Sequence, residues 1–499
     1  MRVNKYLAFD LGAGSGRAIL GELSVQGKLR LTEIHRFPNR TVKKRGRLYW
    51  DTRGLFSQIR QGLALCADHT KKPDSIGIDA WGVDFGLLDA SGKLLENSIS
   101  YRDNRTDGIP EEFFKKNSAE RLYKLTGIQI MQINTVFQLF ARKRSNDKAL
   151  KQAETLLFTP DLMNYFLTGK KAAEFTVATT SQLYNPARKE FSGEIFKRIG
   201  VDPKIMARIV QPGNILGNIL PEVLLKSGLK GGIPVVNVAS HDTASAVAAI
   251  PARHSNFVYI SSGSWSLIGY EAKKPCITLA SARFNFTNEG GAEGTFRILK
   301  NINGLWLLQE IARNSGRKGR ERSISELMSL ARKAKSFTAI INPNDPIFLK
   351  PCDMPGEIRA YCKRTGQYIP SSEGELVRVV LESLALSYRR ALEEIKLLRG
   401  KSPECIHIIG GGANNTLLCE LTASATGLPV YAGPTEAASA GNILLQARAL
   451  GRLRSLEEMR EVSRRSFKPK IYEPKKIPGM DEAYGVFQEI ICKRGKNAA

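Results

Sequence analysis

Residues 6–23 read YLAFDLGAGSGRAILGEL. Residues 6–10 form an apolar run that ends on a carboxylate, Asp10. Residues 11–17 (LGAGSGR) hold Gly12, Gly14 and Gly16, and residues 18–23 are apolar again. Strand, glycine-rich bend and returning strand predict a β-hairpin. A dinucleotide loop needs G-x-G-x-x-G opening a helix; here the spacing is G-x-G-x-G and a strand follows. A Walker A loop is absent too, since Gly400-Lys401-Ser402 lacks the earlier glycine and follows a helix. Clustered glycines bring backbone amides close to a phosphate. Asp10 would repel that phosphate unless a cation such as Mg2+ lay between them. A plain tight hairpin is the other reading.

The same order recurs further along. Residues 233–238 (IPVVNV) read as a strand. Residues 257–261 (FVYIS), the turn 262–264 (SGS) and residues 265–270 (WSLIGY) read as a second glycine-centred hairpin. Leu55, Ile59, Leu63 and Cys66 predict a helix over 52–66, while residues 75–79 and 86–89 read as strands. Residues 375–399 predict the clearest helix, with Leu376, Val380, Leu384, Tyr388 and Ile395 on related faces. It leads into strand 405–409 (CIHII) and Gly410–Gly412. A hairpin-first α/β unit thus occurs twice, from about residue 5 and from about residue 256. The expected architecture is two similar α/β domains joined near residues 248–254, with a ligand cleft between them. Residues 468–476 (KPKIYEPKK) predict a connector to a last helix over 481–493.

Three more stretches carry candidate chemistry. Residues 239–247 (ASHDTASAV) follow a strand, which places His241, Asp242 and Thr243 where open α/β sheets bind ligands. Asp242 could accept a hydroxyl proton or cap the next helix. The small residues after it suit a closely packed helix. In residues 406–418 (IHIIGGGANNTLL), a strand, three glycines and a helix suit a nucleotide or close helix–sheet packing. In residues 78–89 (IDAWGVDFGLLD), Trp81 and Gly82 could wall a sugar ring. Asp84, with Arg102 and Asp103 of YRDNRT, could bind its hydroxyls.

Composition excludes several classes. At 499 residues, 42% hydrophobic and 24% charged, the chain suits a globular protein of two to four domains rather than a disordered one. No apolar run reaches the length of a membrane span, and residues 1–10 lack a signal-peptide core. A cytoplasmic location is the expectation. The seven cysteines include no C-x-x-C pair, which argues against a disulfide framework or a zinc site; a Cys352–Cys362 bridge stays open. The net charge of +26 is spread along the chain, and its clusters at 43–47 (KKRGR) and 317–322 (RKGRER) hold no interleaved aromatics. Solvated loops, not a nucleic-acid surface, are expected. A positive field also draws anionic ligands. Monomer and dimer are equally compatible with the sequence.

Taken in order, the DLG hairpin, HDT after a strand, the SSGSWS hairpin and the GGG-helix resemble the FGGY carbohydrate kinases. SIGIDAWGVDFGLLD, YRDNRT, TNEGGAEGTFRILKNINGLWLLQ, INPNDPIF and GPTEAASAGNI extend the likeness over roughly residues 5–450, and it is close to the members that act on L-rhamnulose. The resemblance implies two actin-like (ribonuclease H-type) domains around a central cleft. Residues 1–248 would bind sugar and phosphate, residues 249–465 nucleotide, and residues 466–499 would form an extension. It implies transfer of the γ-phosphate of ATP, with Mg2+, to the 1-hydroxyl of L-rhamnulose in L-rhamnose catabolism. On that resemblance Ala13, Gly14, Ser15, Gly16 and Arg17 hold the ATP phosphates and Asp10 the metal. Ser264, Gln309 and Gly411 also contact ATP. Gly82, His241, Asp242 and Thr243 contact the sugar, Asn301 the sugar or the nucleotide, and Asp242 accepts the proton. The loop reads AGSGR where ASSGR is common in the family, which removes one hydroxyl, and the basicity is not a family trait. Kinases of L-fuculose, xylulose or glycerol are the near alternatives. A non-catalytic actin-like ATP-binding scaffold is the distant one.

Overall fold

The computed structural model describes residues 3–497 apart from 318, 320 and 321, so half of the basic stretch 317–322 lies outside the described residues. Along the chain come β1 (Asn4–Leu11), β2 (Ser15–Leu23), β3 (Leu29–Pro38), α1 (Thr52–His69), β4 (Ser75–Ala80), β5 (Asn214–Asn218), β6 (Pro234–Asn237) and α2 (Asp242–Ala248). Then follow β7 (Phe257–Ser262), β8 (Trp265–Ala272), β9 (Thr287–Gly290), β10 (Phe296–Asn303), α3 (Glu373–Arg399), β11 (Cys405–Ile409), α4 (Thr416–Thr426), β12 (Val430–Ala432), α5 (Ala437–Ala449) and β13 (Lys470–Tyr472).

The chain forms two compact units, neither of which is continuous in sequence. The first comprises Met1–Pro251, Glu271–Leu299 and Glu436–Lys468; the second comprises Ala252–Tyr270, Lys300–Thr435 and Pro469–Ala499.

In the first unit the sheet order is β5-β6-β4-β1-β2-β3. The expected hairpin is present: β1 and β2 pair antiparallel, with Asp10 opposite Arg17 and Leu11 opposite Gly16. β4 runs parallel to β1 and sets Asp79 beside Asp10; β6 runs parallel to β4. Every residue of β4 is buried, which is why it carries no polar–apolar alternation. Ala440, Ile443 and Leu444 of α5 pack with Tyr6, Ala8, Val236 and Val238 of the sheet and with Ala244 and Ala248 of α2. α2 and α5 meet almost backbone to backbone. A Cβ on Gly441 would lie 1.7 Å from the Ser245 carbonyl oxygen. The run of small residues after Asp242 therefore serves the close packing expected of it.

The second unit repeats the plan. β7 and β8 form the second expected hairpin, with Ser262 opposite Ser266. β11 runs parallel to β7, and β12 parallel to β11. Residues 468–476 are more than a connector, because β13 lies among them and pairs antiparallel with β12. Only Tyr472 of its three residues is buried, so this short edge strand leaves no apolar pattern to read. α3 extends the predicted helix by two residues at its start. It is fixed there by a capping box between Ser372 and Glu375, and it ends on left-handed Gly400.

All seven cysteines are free thiols; Cys352 is exposed and Cys362 buried. Among the described residues no helix is long and apolar enough to cross a membrane.

Candidate active site

The first unit gathers most of the predicted residues at the C-terminal ends of β1, β4 and β6. In the loop after β1 the Gly12 amide donates to the Ser15 carbonyl at 2.9 Å, closing a tight turn over Ala13 and Gly14. A Cβ on Gly16 would sit 2.3 Å from the Phe37 ring, whereas one on Gly14 would meet nothing within 4 Å. Gly16 is thus required by packing, and Gly14 is the glycine open to a ligand. Arg17 forms an ion pair with Glu436, the residue that precedes α5.

Asp10 is buried, and its Oδ2 accepts from Ser439 Oγ at 3.4 Å. Burial pushes its carboxyl up to about 6 against the pull of Arg17, and the charges of Asp242 and Glu436 add to the rise. Asp79 is more deeply buried. Its Oδ2 accepts from Asn442 Nδ2 at 2.6 Å, and its Oδ1 has no hydrogen-bond partner. Burial, then the Asp10 charge, raise its carboxyl well above the usual range. Ser439 and Asn442 lie three apart on α5, so one helix face serves both carboxylates. Four acidic groups with one close arginine suit a cation, and Asp10 and Asp79 are the groups placed to hold one. Among the described residues no three acidic, His or Cys side chains form a ready-made metal cage. A cation here would rest mainly on water and phosphate, as Mg2+ commonly does.

Asp242 is not the cap of α2. His241 occupies that position, and Asp242 is the first helical residue. Its Oδ1 accepts from the Thr243 amide at 2.5 Å and from Thr243 Oγ1 at 3.1 Å. Its Oδ2 has no donor among the described residues, and the side chain is partly exposed. Ala80 bridges His241 in parallel fashion, which carries Gly82 to the same place. The Val83 amide donates to Thr180 Oγ1 and the Val83 carbonyl accepts from Thr135 Oγ1. Val83 itself has φ +66°, a backbone conformation that a β-branched residue seldom adopts and that tends to mark functional sites.

Two expected hydroxyl binders are occupied by the protein itself. Asp84 is fully buried and accepts from Trp50 Nε1, Trp81 Nε1, the Tyr101 amide and Gln138 Nε2. Asp103 accepts from the Leu48 and Arg105 amides. Both are framework. Trp81 is buried among them. Arg102 is partly exposed and lies over the Tyr101 ring.

The second unit holds the remaining residues. Ser264, in the β7–β8 turn, donates from Oγ to Gln309 Oε1 at 3.1 Å. Gly304 and Trp306 donate their amides to the Ser264 carbonyl, so the turn and the segment after β10 are tied together. Asn301 is partly buried near the end of β10. The three glycines after β11 divide by role. A Cβ on Gly412 would lie 2.0 Å from Ser262 Oγ, while Gly411 faces open space. Close packing explains Gly412 and leaves Gly411 free for a ligand.

Sequence reasoning passed over Asp79, Glu436, Glu289 and Arg297. Each works through partners that are distant along the chain. The stretches SIGIDAWGVDFGLLD, GPTEAASAGNI and TNEGGAEGTFRIL contain them, but only as part of a likeness and with no role assigned.

Residues 5–249 match the N-terminal domain of the FGGY family of carbohydrate kinases, and residues 258–450 match its C-terminal domain. The chain belongs to the FGGY family of carbohydrate kinases. A rhamnulokinase from Bacteroides thetaiotaomicron is 45% identical over 486 residues, 97% of this chain and 99% of the relative. One from Halalkalibacterium halodurans is 44% identical over 470 residues, 94% of this chain and 99% of the relative. The solved structure of a gluconate kinase from Lactobacillus acidophilus covers 100% of this chain and 99% of its own at TM-score 0.80 and 18% identity. The fold is the two-domain, actin-like α/β fold expected from the sequence.

Proposed function

We propose that the chain transfers the γ-phosphate of ATP to the 1-hydroxyl of L-rhamnulose, giving L-rhamnulose 1-phosphate and ADP, as a cytoplasmic step of L-rhamnose catabolism. The observation that carries the chemistry is Asp242: a partly exposed carboxylate with a free oxygen, at the head of a helix and electrostatically coupled to Asp10. The choice of sugar rests on likeness to rhamnulokinases over nearly the whole chain.

Asp242 Oδ2 takes the hydroxyl proton as the sugar oxygen bonds to the γ-phosphorus. The bond from that phosphorus to the β–γ bridging oxygen breaks, and ADP carries away the electron pair. Gly82, His241, Thr243 and Asn301 hold the sugar. Ala13, Gly14, Ser15, Gly16 and Arg17 surround the phosphates, while Ser264, Gln309 and Gly411 hold the rest of the nucleotide. Sugar and phosphate contacts fall to residues 1–248 and nucleotide contacts to residues 249–465, with residues 466–499 as an extension. Asp10, with Asp79 behind it, would hold Mg2+, which when bound neutralises phosphate charge.

ADP release measured over L-rhamnulose, L-fuculose, xylulose and glycerol tests the reading. L-Rhamnulose should give the highest kcat/KM, and preference for xylulose or glycerol would overturn the sugar assignment. Sugar-independent ATP hydrolysis with filament formation would favour a scaffold instead. Asp242→Asn should lower kcat by about 10²–10⁴-fold, the usual worth of a general base; an unchanged kcat would remove Asp242 from that role.

A further inference from the structure

Behind His241 lies a buried ion pair that none of the roles above uses. Arg297, on β10, is fully buried, and Glu289, on β9, is nearly so. Arg297 Nη2 lies 2.9 Å from His241 Nδ1 and 3.1 Å from Glu289 Oε2. Its Nε donates to the Gly290 carbonyl at 2.8 Å. Glu289 Oε2 is itself 3.2 Å from His241 Nδ1. The His241 main chain is held as well, since its amide donates to Thr176 Oγ1 at 3.0 Å.

A guanidinium has donors and no acceptor, and it stays charged in proteins. Two tautomers of the ring compete. With the hydrogen on Nδ1, the ring could donate to Glu289, but two donors would then face each other across 2.9 Å. With the hydrogen on Nε2, one Nη2 hydrogen goes to Nδ1 and the other to Glu289, and both contacts of Nη2 are satisfied; Nη1 is left without a partner. The second arrangement is the one these distances favour. A charged ring, with hydrogens on both nitrogens, meets the same opposed donors.

From this geometry we infer that Arg297 and Glu289 are positioning residues that hold His241 as its neutral Nε2–H tautomer, presenting an N–H donor beside Asp242. Nε2 lies 3.6 Å from Asp242 Oδ1. A ketose oxygen in front of the ring could accept from Nε2–H while the reacting hydroxyl gives its proton to Asp242. His241 then orients the sugar and Asp242 alone is the base. The role in sugar binding rests on the function proposed above; the tautomer does not.

The chain has five histidines, so ring-¹⁵N-histidine labelling gives a tractable long-range ¹H–¹⁵N spectrum, with His241 assigned by its loss in His241→Gln. Nδ1 should appear unprotonated and Nε2 protonated at about pH 7–8, above the ordinary histidine value. An Nδ1–H tautomer, or a charged ring at neutral pH, overturns the inference whatever the enzyme phosphorylates. Arg297→Met should move the hydrogen to Nδ1, facing Glu289. It should raise the ketose KM and lower kcat/KM for the ketose about 10–100-fold, taking as a guide the loss when a metal-bound imidazole is deprived of its outer hydrogen-bond partner, with the KM for ATP unchanged. A folded Arg297→Met protein that keeps the Nε2–H tautomer and the ketose KM counts against the assignment. Should that variant not fold, the spectrum of the unmodified protein still decides. The expected tautomer in a protein inactive on every ketose would instead sink the functional reading and leave the tautomer standing.

Discussion

Glu174 ties the segment at Thr176 and Val177 to the one that leads into His241. Its Oε2 accepts from the Thr176 amide and hydroxyl, from the Val177 amide and from the Ser240 amide, one residue before His241. Burial pushes its carboxyl up to about 7 in spite of those donors. The folded state thus holds the Glu174 proton more tightly than the unfolded chain, where the ordinary value is 4.5. Its stabilising effect is complete below that value and is lost as pH rises toward 7. Glu174→Gln keeps an acceptor and removes the titration. Between about pH 4.5 and 7.5 the native protein should lose roughly 2–4 kcal/mol relative to this variant, because a tenfold change in proton affinity is worth about 1.4 kcal/mol. Urea unfolding of both proteins across that range measures it, and a constant difference would refute it. The loop glycines make a second contrast. Gly16→Ala should cost about 1–3 kcal/mol by overpacking against Phe37, whereas Gly14→Ala should leave the melting temperature near its starting value and raise the KM for ATP.

Among the elements, both hairpins were legible because a glycine turn between apolar runs has few other solutions. α3 was legible because its apolar period runs for about seven turns. The capping box at its start makes a local prediction: Ser372→Ala should destabilise the protein by about 1 kcal/mol, seen as a fall in the urea midpoint with an unchanged slope. β13 was not legible, since three residues between prolines with one buried side chain do not announce a strand. Asp84 and Asp103 misled for the opposite reason. Polar and aromatic residues close to a binding motif suggest a ligand, yet Trp50, Gln138 and the backbone had already claimed both carboxylates. Trp50 and Gln138 lie 34 and 54 positions from Asp84, too far along the chain to be read as its partners.

At the level of the whole molecule, the candidate site was legible wherever its residues follow strands as short motifs, as in DLGAGSGR and HDT. It was illegible where partners come from distant segments. Arg17 and Glu436 are separated by 419 positions, and nothing local to either predicts their pairing. The same interleaving shapes stability. The core around Tyr6, Ala8 and Ile19 is completed by Ala440, Ile443, Leu444, Met459 and Val462. A chain ended at Pro251 would leave that face uncovered. Such a fragment should lack a cooperative unfolding transition and bind a hydrophobic dye, whereas the intact protein should melt sharply and leave the dye unbound; a sharply melting fragment would contradict this.

That first unit draws its last stretch from Glu436–Lys468, which has a consequence during synthesis. After Pro251 leaves the ribosome, about two hundred more residues must be translated before α5 can cover β1 and β4. At about 5–20 residues per second the wait is roughly 10–40 s. Throughout it the sheet face around Tyr6 and Val236 is bare, so the nascent chain, rather than the finished enzyme, is where this architecture most needs a chaperone.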